Sequence, residues 1–216
     1  MHIPDGFLDP IWSISTYVIT IIYYIVGIKF TKAKLTPNKV SLITVLAAGI
    51  FVAQMLNWPL PGGTSLHFVG GALAGILLGP LYGAVTMGLV VTIQCLVFHD
   101  GGITALGANL LNMAIIDVLI GYLLYKLTIN ALGKKPSSAF IGGFLGGWLG
   151  IVLAGIACGF EIGLSPLFPY GIAITVPVMG FWHFVIGVIE GIITGSVIAY
   201  IASKCPSLLW KGGSEK

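Results

Sequence analysis

Residues 66–98 read LHFVGGALAGILLGPLYGAVTMGLVVTIQCLVF, a stretch of 33 residues without Asp, Glu, Lys or Arg. Both of its flanks, residues 57–67 and 99–107, are also free of Lys and Arg. All ten basic residues are Lys, grouped as Lys29, Lys32, Lys34 and Lys39, then Lys126, Lys134 and Lys135, then Lys204, Lys211 and Lys216. In a membrane protein such clusters mark the cytoplasmic side, so both flanks of the run read as outer loops. A single crossing would put the flanks on opposite sides, so the run must cross twice. Gly79-Pro80 with Gly83 supplies the break and a tight inner turn. Its halves, about 13 and 18 residues, are short for a bilayer that takes about 20 per helix, and the first is expected to tilt little or stop shallow.

The rest of the chain agrees with a membrane setting. Of 216 residues, 57% are hydrophobic and 8% charged, against about 25% charged in soluble domains, and the mean hydropathy is +1.04. The apolar runs far exceed a barrel strand of about 10 residues, so the spans are helical. They are expected near 11–30, 40–57, 67–79, 81–98, 108–126, 138–159 and 176–203. This is an all-α integral membrane protein of about seven helices, a single domain over 1–216, with the amino terminus outside and the carboxy terminus cytoplasmic. Pro177 is expected in the first turn of the last helix, where its missing N–H is harmless. Asp5 and Asp9 in place of a basic start argue against a signal peptide. Cys95, Cys158 and Cys205 are too scattered for a disulfide framework and read as small buried hydrophobes.

Glycines spaced by four recur: Gly71, Gly75 and Gly79; Gly142, Gly146 and Gly150; Gly187, Gly191 and Gly195. Such stripes let neighbouring helix backbones approach closely, either within the bundle or against a partner membrane protein. Polar residues within spans face the protein interior. Gln54, Asn57, Gln94, Asn109, Asn112 and His183 all fall in the outer halves of their helices, which implies a polar chamber opening outward. Asp117 and Glu190 lie nearer mid-membrane with no basic partner in the spans, and are expected to be protonated or hydrogen-bonded.

The chain opens Met1-His2. A free α-amine, the amide nitrogen of residue 2 and the His2 imidazole close two small chelate rings around a divalent ion, and one further nitrogen completes a square plane. That geometry favours Ni(II) or Cu(II) over Zn or Mg. The bulk of His2 argues that Met1 is retained. The four histidines, His2, His67, His99 and His183, all fall on the outer side. His67, at the end of the Pro- and Gly-rich loop 57–67, ranks first as the fourth ligand, with His183 and His99 behind it. Second-sphere candidates are Asp5, Thr64, Ser65, Gln94, Asn109, Asn112 and His183, which orient the imidazoles through their other ring nitrogens.

Other chemistries fit less well. Gly133-Lys134 lacks the earlier glycine of a phosphate-binding loop, Thr128 standing in its place, and is followed by Lys135, so this chain is not expected to hydrolyse ATP. No two histidines lie within five residues of each other, which removes an H-E-x-x-H metalloprotease. No nucleic-acid partner is implied. A stand-alone secondary carrier with Asp117 and Glu190 as proton-coupling groups remains as the rival class.

The opening Met1-His2-Ile3-Pro4-Asp5-Gly6-Phe7-Leu8, the loop ending Gly62-Gly63-Thr64-Ser65-Leu66-His67 and the run Gly70-Gly71-Ala72-Leu73-Ala74-Gly75 resemble the CbiM/NikM family. Its members are the substrate-specific membrane components of energy-coupling factor transporters for cobalt and nickel. The resemblance implies a metal held by the Met1 amine, the His2 amide and imidazole nitrogens, and the His67 imidazole, with loop 57–67 as a cap. It implies a core of six helices, with helix 1 added to fold the terminus back into it. It also implies a plasma-membrane location for this chain, a membrane coupling subunit, two cytoplasmic ATPase subunits and, in some cases, a small accessory membrane protein. Ni(II) is the expected substrate, with Co(II) as the alternative; capture from outside, loop closure and reorientation of the bundle are the expected steps.

Overall fold

The chain was analysed as a computed structural model that describes residues 1–30 and 35–210. Lys32, Lys34, Lys211 and Lys216 lie outside the described residues. The elements are α1 (Pro10–Phe30), α2 (Pro37–Gln54), a two-stranded antiparallel ribbon of β1 (Trp58–Pro59) and β2 (Ser65–Leu66), α3 (Gly71–Phe98), α4 (Leu106–Leu110), a π-helical turn (Leu111–Ile116), α5 (Asp117–Leu132), α6 (Pro136–Leu164), α7 (Ile172–Lys204) and a 3-10 turn (Pro206–Leu208). With α4, the π-helical turn and α5 forming one rod over 106–132, six helices among the described residues are long and apolar enough to cross a membrane. The protein is all-α and multi-pass.

The run 66–98 turns back on itself where its sequence says it should. Inside α3, Gly79 adopts φ 80° and ψ 173°, a conformation open essentially to glycine alone. A Cβ on Gly83 would meet Gly75 Cα at 2.8 Å, whereas eight residues of straight helix separate such atoms by about 12 Å. The two limbs of α3 therefore lie back to back, and the expected helices 3 and 4 are the limbs of one kinked element, so six long helices stand where seven spans were expected. The limb from Gly71 to Gly79 is only about 12 Å long, well short of the ~30 Å bilayer core. The rest of that passage falls to non-helical backbone before Gly71, which is tolerated at depth only inside protein; His67, Val69 and Gly70 are buried accordingly. Gly79 also presses on Trp210, whose ring atoms would stand 2.6–2.8 Å from a Cβ there. Gly79→Ala is expected to destabilise the fold by about 2–3 kcal/mol, read as a lower melting midpoint in detergent; an unchanged midpoint would mean the turn is not held in this conformation.

Boundaries moved where capping signals outweigh hydropathy. α2 begins at Pro37 rather than near 40, because Thr36 caps it, its Oγ1 accepting from Lys39 N–H at 3.4 Å, with Pro37 in the first turn. α6 likewise begins on Pro136. α7 begins at Ile172, five residues before Pro177, so this proline sits inside the helix rather than in its first turn and removes one internal hydrogen bond. Cys95 and Cys158 are buried as expected, but Cys205, just past the end of α7, is exposed.

The glycine stripes all serve the bundle. Gly142, Gly146 and Gly150 face α5, against Tyr125, Gly121 and Asp117; Gly187, Gly191 and Gly195 face α6, against Trp148, Phe144 and Phe140; Gly71 and Gly75 face Asp117 and Val118. The lysines and the histidines separate. Lys39 stacks on Tyr82 and Trp210, and Lys126, Lys134 and Lys135 line a cavity of about 590 Å³ with Trp210. The opposite end gathers the amino terminus and the loops around residues 57–67, 99–105 and 165–171, where Ser165 Oγ accepts from Asp9 N–H at 3.0 Å.

Candidate metal site

The first three residues are threaded into the bundle: Met1 and Ile3 are fully buried and His2 is 3% exposed. Main-chain pairing holds them there. Asn109 in α4 treats Ile3 as a strand would, its Oδ1 accepting from Ile3 N–H at 2.8 Å and its Nδ2 donating to Ile3 O at 3.1 Å. Gly102 N–H also donates to Ile3 O at 2.8 Å. A Cβ on Gly102 would stand 2.2 Å from Asp5 N, so this loop must be glycine for the segment to lie against it.

The Met1 amine nitrogen lies 2.7 Å from Ser65 O, 2.9 Å from Ser65 Oγ and 2.8 Å from His67 Nε2; as a neutral amine it has two N–H groups, for Ser65 O and His67 Nε2, and a lone pair that faces the Ser65 hydroxyl. The His67 tautomer follows from its neighbours. Nδ1 lies 2.7 Å from Phe68 O, and a carbonyl only accepts, so Nδ1 carries the proton and Nε2 presents its lone pair to the amine. The His2 ring stacks on His67 with centroids 4.7 Å apart and planes 24° from parallel. Both its ring nitrogens are buried without a hydrogen-bond partner, and its amide N–H donates to Ser65 Oγ at 3.1 Å.

Burial sets the charge of this cluster. Desolvation pushes the Met1 amine down to about 5. The His2 imidazole is held well below its ordinary range, by desolvation first and then by the nearby amine, and the His67 tautomer leaves its Nε2 unprotonated. At neutral pH the amine and two imidazoles are uncharged bases crowded into one buried spot. Buried nitrogens with nothing to bond are costly, and a divalent cation is the ligand that would use their lone pairs together. Among the described residues no three His, Cys, Asp or Glu side chains converge as a metal site; the donors here are imidazole and main-chain nitrogen.

The other expected participants divide. Ser65 touches two of the donors, and Asn109 holds the segment that carries them. Asp5 instead ties down loop 99–105, its Oδ1 accepting from Thr104 N–H at 2.7 Å and from the Thr104 hydroxyl. Thr64 lies against sulfur, 3.8 Å from Cys158 and 3.9 Å from Met179. Asn112, in the π-helical turn, donates to Glu161 at 2.6 Å. His183 Nδ1 donates to Met179 O at 2.6 Å, leaving Nε2 buried and unpaired. Gln94 is buried with its whole amide unpaired, and His99 is exposed. Gln54 Nε2 donates to Val69 O at 2.6 Å. Asp117 accepts from Gly71 N–H and Glu190 from Val69 and Gly70 N–H.

Asp100 was not among the expected residues. Its Oδ2 lies 3.8 Å from His2 Nε2 and accepts from Asn57 Nδ2 at 3.1 Å, linking loop 57–67 to the ring of His2. Its signal in the sequence is the Gly101-Gly102 pair beside it, which marks close backbone approach rather than a solvated turn.

The sequence profile of the family described as "Cobalt uptake substrate-specific transmembrane region" (CbiM) matches residues 2–208. A putative fused nickel transport protein NikMN of Archaeoglobus fulgidus is 52% identical over 215 residues, covering 97% of this chain and 68% of that protein. A putative metal transport protein of Haloquadratum walsbyi is 46% identical, covering 97% of this chain and 94% of its own. A crystal structure titled as a truncated transition metal transporter superposes with a TM-score of 0.86 at 35% identity, covering 94% of this chain and 99% of that one. By profile, identity and fold together, the chain belongs to the CbiM/NikM family of metal transport membrane proteins.

Proposed function

We propose that this protein is the substrate-specific membrane component of an energy-coupling factor transporter, and that it captures Ni(II) at the outer face through Met1, His2 and His67. The observation that carries this reading is the Met1 amine at 2.8 Å from His67 Nε2, with the unpaired imidazole of His2 stacked beside them. The amine and His2 amide close a five-membered ring on the ion, the amide and His2 Nδ1 a six-membered ring, and His67 Nε2 supplies the fourth nitrogen. Displacing an amide proton is something Ni(II) in a square plane achieves and Zn(II) does poorly. Co(II) is the alternative substrate; it stands below Ni(II) in the affinity order for nitrogen sites.

The outer location rests on the lysines grouped at the opposite end of the molecule. Energy comes from partners in this reading: a membrane coupling subunit, two cytoplasmic ATPases and, where present, a small accessory membrane protein. A proton-coupled carrier built on Asp117 and Glu190 is the weaker reading, because both carboxylates already accept main-chain N–H groups of residues 69–71.

Titration of the purified protein with Ni(II) is expected to reach one ion per chain, with the visible band of planar four-coordinate nickel. His67→Ala is expected to weaken binding beyond the about 10–100-fold typical of losing an outer-sphere partner, and to remove that band. Wild-type affinity in His67→Ala would overturn the assignment.

A further inference from the structure

Three consecutive main-chain N–H groups just past His67 point at carboxylates on other helices. Val69 N–H donates to Glu190 Oε2 at 2.9 Å, Gly70 N–H to Glu190 Oε1 at 2.7 Å, and Gly71 N–H to Asp117 Oδ2 at 2.9 Å. Gly70, at φ 82° and ψ 3°, makes the left-handed turn that lets successive N–H groups converge on one anion. Both carboxylates are fully buried. Capping the short limb of α3 accounts for Asp117 and for half of what Glu190 does.

The other half concerns one peptide group. The N–H of Val69 and the C=O of Phe68 are the two ends of the same amide, and Phe68 O accepts the Nδ1 proton of His67 at 2.7 Å. The connection is therefore unbroken: Glu190 Oε2, the Phe68–Val69 peptide, His67 Nδ1–H, and then His67 Nε2, facing the Met1 amine at 2.8 Å. An acceptor on the N–H of an amide polarises its C=O and strengthens the bond that C=O accepts. In metal sites a carboxylate bonded to the outer nitrogen of a ligating imidazole fixes its tautomer and raises its donor strength.

We infer that Glu190 is a positioning residue for the metal, a carboxylate that acts on His67 through the Phe68–Val69 peptide. This rests on His67 being a ligand, as proposed above. Glu190 belongs to α7 and His67 to the loop before α3, so a rotation of α7 would change the strength and aim of a donor 123 positions earlier in the chain. Asp117 has no such link; its bond ends at Gly71, beyond the amide that touches His67.

Three variants separate the possibilities by Ni(II) titration, visible spectroscopy and melting. Glu190→Gln keeps the shape and removes one acceptor, and is expected to raise the Kd about 10-fold or more with a shifted ligand-field band. Asp117→Asn retains an oxygen for Gly71 N–H, and is expected to leave both Kd and band as in wild type, whatever it does to the melting point. If Glu190→Gln lowers only the melting point, with Kd and band unchanged, the relay is overturned and the residue is a cap. If His67→Ala binds as wild type, the metal assignment itself has failed. Should Glu190→Gln not fold, 15N NMR of histidine-labelled wild-type protein decides instead: a proton on His67 Nδ1 is expected in the metal-free protein, and a proton on Nε2 would overturn the relay.

Discussion

Two alanines placed before Met1 are expected to abolish high-affinity Ni(II) binding, with a loss of about 1000-fold or more, equivalent to about 4 kcal/mol. The reason is chemical as well as steric. The added residues turn the primary amine of Met1 into an amide nitrogen and move the new amine out of the plane that His2 can share; a single added residue would not serve, because amine, two amides and imidazole in series again offer Ni(II) four nitrogens. The old amine position is also closed in, with Ser65 and His67 atoms at 2.7–2.9 Å and Met1 fully buried. An extension therefore has to pull residues 1–3 out of the pairing made by Asn109 and Gly102. A tag after the last residue should leave binding unchanged, because the carboxy-terminal segment as described ends at Trp210 beside Gly79, at the other end of the bundle. Undiminished affinity in the extended protein would sink the chelate.

Affinity should rise about tenfold per pH unit between roughly pH 6 and 8, since one proton leaves per ion bound. With the Met1 amine pushed down to about 5 by burial, the His2 imidazole well below its ordinary range and His67 carrying its proton on Nδ1, none of the three ligating nitrogens carries a proton to displace near pH 7. Only the His2 amide has one. Below about pH 5 the amine also competes, and the dependence is expected to steepen toward two protons per ion. Isothermal titration in buffers of different ionisation enthalpy counts these protons directly; a pH-independent affinity would mean the amide nitrogen is not a ligand. The metal-free fold follows the same sign. The amine's value falls from 8.0 when unfolded to about 5 when folded, so the unfolded chain binds more protons in that interval. Its contribution is complete above pH 8 and is lost as the pH falls toward 5.

Two helix starts depart from hydropathy for one cause. Pro177 was expected at a helix start and lies inside α7; α2 was expected to begin near residue 40 and begins at Pro37. Hydropathy marks where a helix is apolar, while capping and tertiary contacts mark where it starts. The glycine stripes were legible as stripes, yet one spacing serves either the bundle or a partner, and only the contacts of Gly146 with Gly121 and of Gly191 with Phe144 decide for the bundle. Asp5 and Thr64 sat at the expected depth but bond Thr104 and the sulfur atoms of Cys158 and Met179. Depth is readable from topology, and the direction of a side chain is not.

The sequence by itself determined the membrane class, the segregation of lysines from histidines, the reversal at Gly79-Pro80 and the succession of amine, amide and imidazole nitrogens at Met1-His2 on which the proposed chelate rests. Each of these depends on composition or on neighbours along the chain. Only the tertiary structure decided that His67 meets the Met1 amine with Nε2, that Asp100 stands beside His2 and that Glu190 grips the peptide next to His67. Those contacts join residues 66 to 121 positions apart, and several use main-chain N–H and C=O groups. Every residue but proline carries both groups, so their placement leaves no mark in the sequence.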